Sequence, residues 1–303
     1  VRSVSDEGLA TLIVNDKIDV LIDLSGHAPH NRLTTFSQKP APLQVAWGDY
    51  VNTRGLAAID VLVGDAVHTP MSEQDRYVER LLHMPNDYIC YEPPTYLPPA
   101  SQAPASQNGC VTFGTFSELT KIQPETIRLW AKVLHANPDS RFFANGYLLA
   151  DEARQGKLFS AFIENGISSD RIIIGTGGEH ANFLEQYAEV DVILDTWPYS
   201  GGLTTCEALV MGVPVVTLTG GRFSGRHATA HLKAAGFLEW VAEDESAFVK
   251  ITSKLSEDPA ALTPLRRQVR QQTLASPLCD VDGFADAFYA LLRTEWQQVC
   301  SSR

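Results

Sequence analysis

From Val111 onward, short runs of apolar and β-branched residues alternate with longer amphipathic stretches. The runs are VTFGTF (111–116), SRFFAN (140–145), RIIIGT (171–176), VDVILD (190–195) and VPVVTL (213–218). Each is too short for a helix and too continuously apolar for a strand with one wet face, so both faces must be covered. In the stretch PETIRLWAKVL, Ile127, Trp130, Val133 and Leu134 fall on one helical face behind Pro124, which suits a first helical turn. Buried strands alternating with helices predict an α/β fold with a parallel, doubly wound sheet.

The first 90 or so residues repeat this pattern more weakly, in IDVLIDLSG (18–26), LQVAWGDY (43–50) and IDVLVGD (59–65). Three strands are few for an independent lobe of this kind. Between the halves, EPPTYLPPASQAPASQNG holds five prolines among small polar residues, the composition of a linker. After Asp244 the pattern turns helical. The last stretch, GFADAFYALLRTEWQQV, carries an apolar stripe that must pack on something. The expected organisation is residues 1–91 as the remainder of an N-terminal Rossmann-like lobe, 92–109 as linker, 110–280 as a second lobe and 281–303 as a C-terminal helix.

Composition narrows the function. The 303 residues carry a formal charge of -12, which argues against a nucleic-acid or anionic-membrane binder, because phosphate surfaces reward clustered Lys and Arg. No apolar run approaches the roughly 20 residues of a membrane helix, and VRSVSDEGLA lacks a signal-peptide core. Five scattered cysteines without CxxC spacing are expected to be reduced cytoplasmic thiols. The chain opens on Val rather than Met and is expected to be a fragment.

Candidate chemistry lies where loops follow strands into helices, at the carboxyl edge of the sheet. In SGGLTTCEAL (200–209), Gly201 and Gly202 allow close backbone approach, and Thr204 and Thr205 bring hydroxyls to a helix start. Free N–H groups there favour an anion, most naturally a phosphate. The same residues, Thr204 to Glu207, also match a capping box in which the two side chains satisfy each other's backbone donors. The residues alone leave both readings open. Lys121, after VTFGTF, sits where a mobile cation can meet a diphosphate, and His180, in GTGGEHANF, where an imidazole can meet a base or phosphate, although a lysine is more often a solvated surface residue and a lone histidine at a helix start more often polar surface or a cap. Arg222, Arg226 and His227 form a basic island after VPVVTL.

No G-x-G-x-x-G follows a strand, since His180 stands where GTGGEH would need its third Gly, and there is no P-loop. No His/Cys cluster has zinc spacing, and Asp280-Val281-Asp282 reads as a helix cap rather than a metal-holding D-x-D. His27 and His30 in LSGHAPHNR end a strand.

Taken together, IDVLIDLSGHAPHNRL, KPAPLQVAWGDYVNTRGL, FGTFSELTKIQPETIRLWAKVL, EVDVILDTWPYSGGLTTCEALVMGVPVVTL and GRFSGRHATAHL occur in one order across nearly the whole chain. In that order they resemble the catalytic region of the O-linked N-acetylglucosamine transferase family, which includes the fucose-transferring SPINDLY branch. The resemblance implies a GT-B fold of two Rossmann-like lobes, the N-terminal one truncated here, with a nucleotide sugar held mainly by the C-terminal lobe in the interdomain cleft. It implies a metal-independent, inverting transfer of GlcNAc from UDP-GlcNAc to Ser or Thr of protein acceptors, with no cofactor.

By position, Lys121 matches the catalytic lysine on the donor diphosphate. Thr204 and Thr205, with Gly201 and Gly202, match the cradle at the helix N-terminus. Glu207 falls where an acid binds the ribose, and His180 matches the histidine on the nucleobase. His27, Trp47, Tyr50 and Glu118 match segments facing sugar or acceptor. The whole protein is expected to carry upstream helical repeats, and the catalytic base is expected upstream too.

The chain departs from the family at Glu118, where an amide residue is usual, at Gly48-Asp49, and in lacking the N-terminal histidine-proline motif. These departures keep an inactive nucleotide-binding or interaction module in view, and TTCEALVMGVP, close to the SPINDLY-like pattern, keeps a GDP-fucose donor in view.

Overall fold

The structure, a computed structural model, describes residues 3–48, 50, 52–175 and 177–301. Asp49, noted above, lies outside the described residues. The chain divides into two compact units, Val1–Cys90 with Val281–Arg303, and Tyr91–Asp280.

In the first unit, β1 (Val20–Asp23), β2 (Leu43–Ala46), β3 (Val61–Asp65) and β4 (Arg80–Met84) form a parallel sheet in the order β1-β2-β3-β4. The first three are the runs read from the sequence. Strand β4 was not read there: RLLHM opens on a charge and carries a histidine, so its apolar run is too short to stand out. The helix Val281–Ser301 covers one face, setting Phe284, Phe288, Leu291, Leu292 and Trp296 against Leu43, Val45, Val61, Val63 and Met84. Its apolar stripe thereby finds the surface it needs. Glu295, within that stripe, pairs with Arg80.

In the second unit, β5 (Thr112–Thr115), β6 (Arg141–Ala144), β7 (Ile172–Ile174), β8 (Val192–Leu194), β9 (Val215–Leu218) and β10 (Val241–Ala242) run parallel in the order β10-β9-β8-β5-β6-β7. Every expected run contains a strand, and the two-residue β10 is an addition at one edge. Ile127, Trp130, Val133 and Leu134 of the helix Pro124–Ala136 are buried as the periodicity requires. Gly114 in β5 is a packing glycine: a Cβ there would lie 2.7 Å from the Phe143 carbonyl and 2.8 Å from the Val190 side chain.

The proline-rich run is bonded along this second unit. Ala103 N donates to Thr263 Oγ1 at 3.0 Å, Ala105 N to Asp191 Oδ1 at 3.1 Å, and the buried Arg266 to Ser101 Oγ at 2.9 Å. The strand order also locates a binding crevice. From β5 the chain winds one way through β6 and β7; it then returns to β8 on the other side and continues to β9 and β10. The carboxyl ends of β5 and β8 therefore flank a topological switch point, the place where open parallel sheets take ligands.

Candidate functional site

The loops leaving β5 and β8 meet at this switch point. After β5 the chain makes a 3-10 turn, Leu119–Lys121, and the Lys121 ammonium donates to the Ser200 carbonyl at 3.1 Å. The same ammonium sits 4.2 Å from the centre of the Tyr199 ring. Both contacts come from the β8 loop, so the lysine bridges the two sides of the crevice. Burial pushes its pKa below the ordinary lysine value, while Asp195 and Glu118 oppose that shift by charge. Glu118 itself is exposed.

The helix Leu203–Val210 starts at the same place, capped by Gly202 rather than by a side chain. Its first hydrogen bond runs from Thr205 N to Gly202 O at 3.0 Å, so the N–H groups of Leu203 and Thr204 precede the helical ladder and face the crevice end of the dipole. The capping-box reading fails for a positional reason. The helix begins before Thr204, so Thr204 and Thr205 are already inside its first turn. The Thr205 hydroxyl bonds back to Gly201 O at 3.1 Å, and Glu207 lies two residues beyond the N3 position from which a side chain reaches the cap. Gly201 is crowded as well: a Cβ would lie 2.7 Å from Thr205 Oγ1 and 3.0 Å from Asp195 Oδ1.

Glu207 is instead buried and directed at the loop after β7. Its Oε1 accepts from His180 Nε2 at 2.9 Å, and its Oε2 from the Tyr187 hydroxyl at 3.4 Å. Burial raises the Glu207 pKa, and the bonds from His180 and Tyr187 work against that rise. His180 opens the helix His180–Glu185, and its Nδ1 lies 2.8 Å from the Tyr96 hydroxyl, which comes from the proline-rich run. With Tyr96 donating to Nδ1, the imidazole carries its proton on Nε2 and directs it to Glu207. The loop ahead of His180 is tethered by the buried Asn145, whose Oδ1 accepts from Gly177 N at 2.9 Å.

Lys121, Gly201, Gly202, Thr204, Thr205, Glu207 and His180 therefore gather on the carboxyl edge of one sheet. Arg226 and His227 of the basic island are buried at the start of the helix His227–Ala235, with His227 stacked on Tyr199 at 5.6 Å, while Arg222 stays exposed. Burial drives the His227 imidazole towards its neutral form, so only part of the island offers charge.

In the first unit, His27 and Tyr50 meet edge to face at 5.3 Å, with His27 Nε2 3.1 Å from the Arg54 carbonyl. Beneath them the buried Arg54 guanidinium pairs with Asp23 at 2.7 Å. Trp47 is set apart from that pair. Its indole N–H donates to Tyr88 O at 2.8 Å, and its ring packs on Phe288 at 4.5 Å, beneath the final helix.

Sequence reasoning missed Tyr96, Tyr187, Tyr199 and Asp195. The last of these closes VDVILD at a strand's carboxyl end, a position that could have flagged it. Tyr96 lay in a run read as linker, with no periodicity to mark it. A cleft of about 380 Å³ beside the Lys121 turn, lined by Leu119, Ile122, Ile127, Leu148 and Leu158, includes none of the gathered polar residues. Among the described residues, no group of three or more His, Cys, Asp or Glu side chains is arranged to hold a metal ion. No helix is long and apolar enough to cross a membrane among the described residues.

The profile of Glycosyl transferase family 41 matches residues 2–101 and 100–288. A probable UDP-N-acetylglucosamine–peptide N-acetylglucosaminyltransferase SPINDLY of Hordeum vulgare is 34% identical over 99% of the chain and 32% of its own length. The corresponding SEC protein of Arabidopsis thaliana is 27% identical over 100% of the chain. A mutant of the Thermobaculum terrenum O-GlcNAc transferase superposes with a TM-score of 0.94 at 35% identity, covering 100% of this chain and 57% of that one. A Thermosynechococcus elongatus sucrose-phosphate synthase shares the fold at a TM-score of 0.64 and 12% identity. The chain spans about a third of the length of the curated relatives it matches.

Proposed function

The chain belongs to glycosyl transferase family 41, and on that basis we propose that it forms the donor-binding part of a protein O-glycosyltransferase that moves GlcNAc from UDP-GlcNAc to Ser or Thr of protein acceptors. The observation that carries this reading is the bridge from Lys121 to Ser200 across the β5/β8 switch point, beside a helix N-terminus that no side chain caps. A cation and open N–H groups at one crevice are suited to a diphosphate.

Loss of the sugar leaves a nucleoside diphosphate, so negative charge grows on that group in the transition state. Lys121 and the helix start meet the growing charge with donors already in place, the kind of arrangement worth roughly 3–4 kcal/mol per donor elsewhere. In this reading no metal is required. Direct displacement by an acceptor hydroxyl inverts the anomeric carbon and needs a base for the hydroxyl proton, a role assigned to no residue of this chain. Thr204, Thr205, Gly201 and Gly202 hold the diphosphate, Glu207 the ribose and His180 the base. His27, Tyr50 and Glu118 are assigned to the sugar and acceptor side. Trp47 packs on Phe288 and bonds the Tyr88 carbonyl rather than touching His27 or Tyr50, and no donor or acceptor contact is assigned to it. We place the reaction in the cytoplasm and expect helical repeats in the whole protein to recruit acceptors.

GDP-fucose is the second reading of the donor, suggested by the resemblance of TTCEALVMGVP to the SPINDLY branch. Calorimetric titration of the whole protein with UDP-GlcNAc and with GDP-fucose separates the two. Tighter binding of UDP-GlcNAc supports the first, tighter binding of GDP-fucose the second, and binding of neither contradicts both.

A further inference from the structure

Asp195 follows β8 at the switch point and is fully enclosed by protein, yet it carries a carboxylate. Its Oδ1 accepts from Thr196 N at 2.8 Å and from Gly201 N at 2.7 Å, and its Oδ2 from the Thr217 hydroxyl at 2.7 Å. One oxygen thus pins both ends of the turn 196–201, while the other anchors it to β9. That turn carries the two groups that hold the Lys121 ammonium, the Ser200 carbonyl and the Tyr199 ring. It also delivers the chain into the helix Leu203–Val210.

A buried ionised carboxylate is costly unless bonded and answered by opposite charge. Burial raises the Asp195 pKa, and the three donors and the charge of Lys121 work against that rise. We propose that Asp195 is a positioning residue for the donor diphosphate: it shapes the turn that presents Lys121 and the helix N-terminus, and its buried charge, set behind that turn, favours the Lys121 ammonium. This rests on the reading of Lys121 as the diphosphate contact.

The surroundings of Lys121 fix the direction of the effect. Burial favours the neutral amine, while Asp195, from the end of β8, and Glu118, on the lysine's own turn, favour the cation. Tyr199 and Ser200 face it from the β8 loop, and His227, from the helix His227–Ala235, lies near enough to feel its charge but is held neutral by burial. Glu118 is exposed and therefore screened, so the buried Asp195 is the stronger support.

Asp195→Asn is nearly isosteric. Its carbonyl oxygen accepts the same two N–H groups and its amide donates to the Thr217 hydroxyl, so the turn is kept and only the charge is lost. In the whole protein, the alkaline limb of kcat/KM for the donor should then move to lower pH by a unit or more. The loss of activity should be tenfold or greater at pH 9 and much smaller at pH 6.5. A folded variant whose profile superposes on wild type overturns the inference.

Thr217→Val provides a second test that keeps the charge. Removing the hydroxyl that stabilises ionised Asp195 should move the acid limb to higher pH, and an unmoved acid limb overturns the inference independently. Lys121→Ala separates the two levels of the argument. Near-normal turnover in that variant overturns the Lys121 reading together with this one. An inactive Lys121→Ala beside an unshifted Asp195→Asn overturns this one alone.

Discussion

His180 Nε2 donates to Glu207 Oε1 at 2.9 Å, so the residues assigned to the base and the ribose of one nucleotide hold each other. A donor that engages Glu207 through ribose hydroxyls must exchange this bond for its own. The exchange is feasible because both kinds of bond are charge-assisted and similar in strength.

Glu207→Gln should therefore weaken UDP binding by roughly 10- to 100-fold, the value of a hydrogen bond to a charged group. Stability should move the other way. The folded-state pKa of Glu207 is raised by burial, so its favourable contribution is complete at acid pH and lost as pH rises through that value. The variant should gain on wild type in melting temperature as pH rises, which paired calorimetry and thermal melts would measure. Unchanged affinity would remove Glu207 from the ribose site.

Gly201→Ala should damage the site far more than Gly202→Ala. The added methyl meets Thr205 Oγ1 at 2.7 Å, Asp195 Oδ1 at 3.0 Å and Thr204 Oγ1 at 3.2 Å, all parts of the cradle, whereas nothing lies within 4 Å of a Cβ on Gly202. Loss of UDP affinity should be tenfold or more in the first variant and several times smaller in the second. Equal losses would show that the crowding at Gly201 is not what shapes the cradle.

Asp191 predicts a pH signature of the second unit's stability. Its carboxylate caps Ala105 N and Thr112 N, and burial raises its pKa to about 6. A raised folded-state value means that its contribution is complete below the unfolded value near 4 and lost as pH climbs through 6, a change of up to roughly 3 kcal/mol. The melting-temperature advantage of wild type over Asp191→Asn should shrink between pH 4 and pH 7. An advantage that grows over that interval would contradict the assignment.

Much of this architecture was legible from apolar runs, because a strand covered on both faces leaves an uninterrupted signal. The runs at 111–116 and 190–195 contain β5 and β8, whose neighbouring carboxyl ends make the crevice. What periodicity cannot report is pairing across the sheet. The order β8-β5 is not encoded in either run alone, so the bond from Lys121 to Ser200 had no local signature. For the same reason Thr204 and Glu207 had the spacing of a capping box, while the helix start was settled by Gly202 and the partner of Glu207 by a loop 27 residues earlier. Tyr96 was hidden differently, in a proline-rich run whose composition describes chain stiffness and not what one ring touches.

The most direct test of the account is sugar transfer by Lys121→Ala in the whole protein, measured with UDP-GlcNAc and an acceptor peptide beside a thermal melt. The account predicts a fall in kcat of roughly 100- to 1000-fold, the scale of removing one preorganised donor from a charged transition state, in a variant the melt shows to be folded. Near-normal turnover in the folded variant would contradict it.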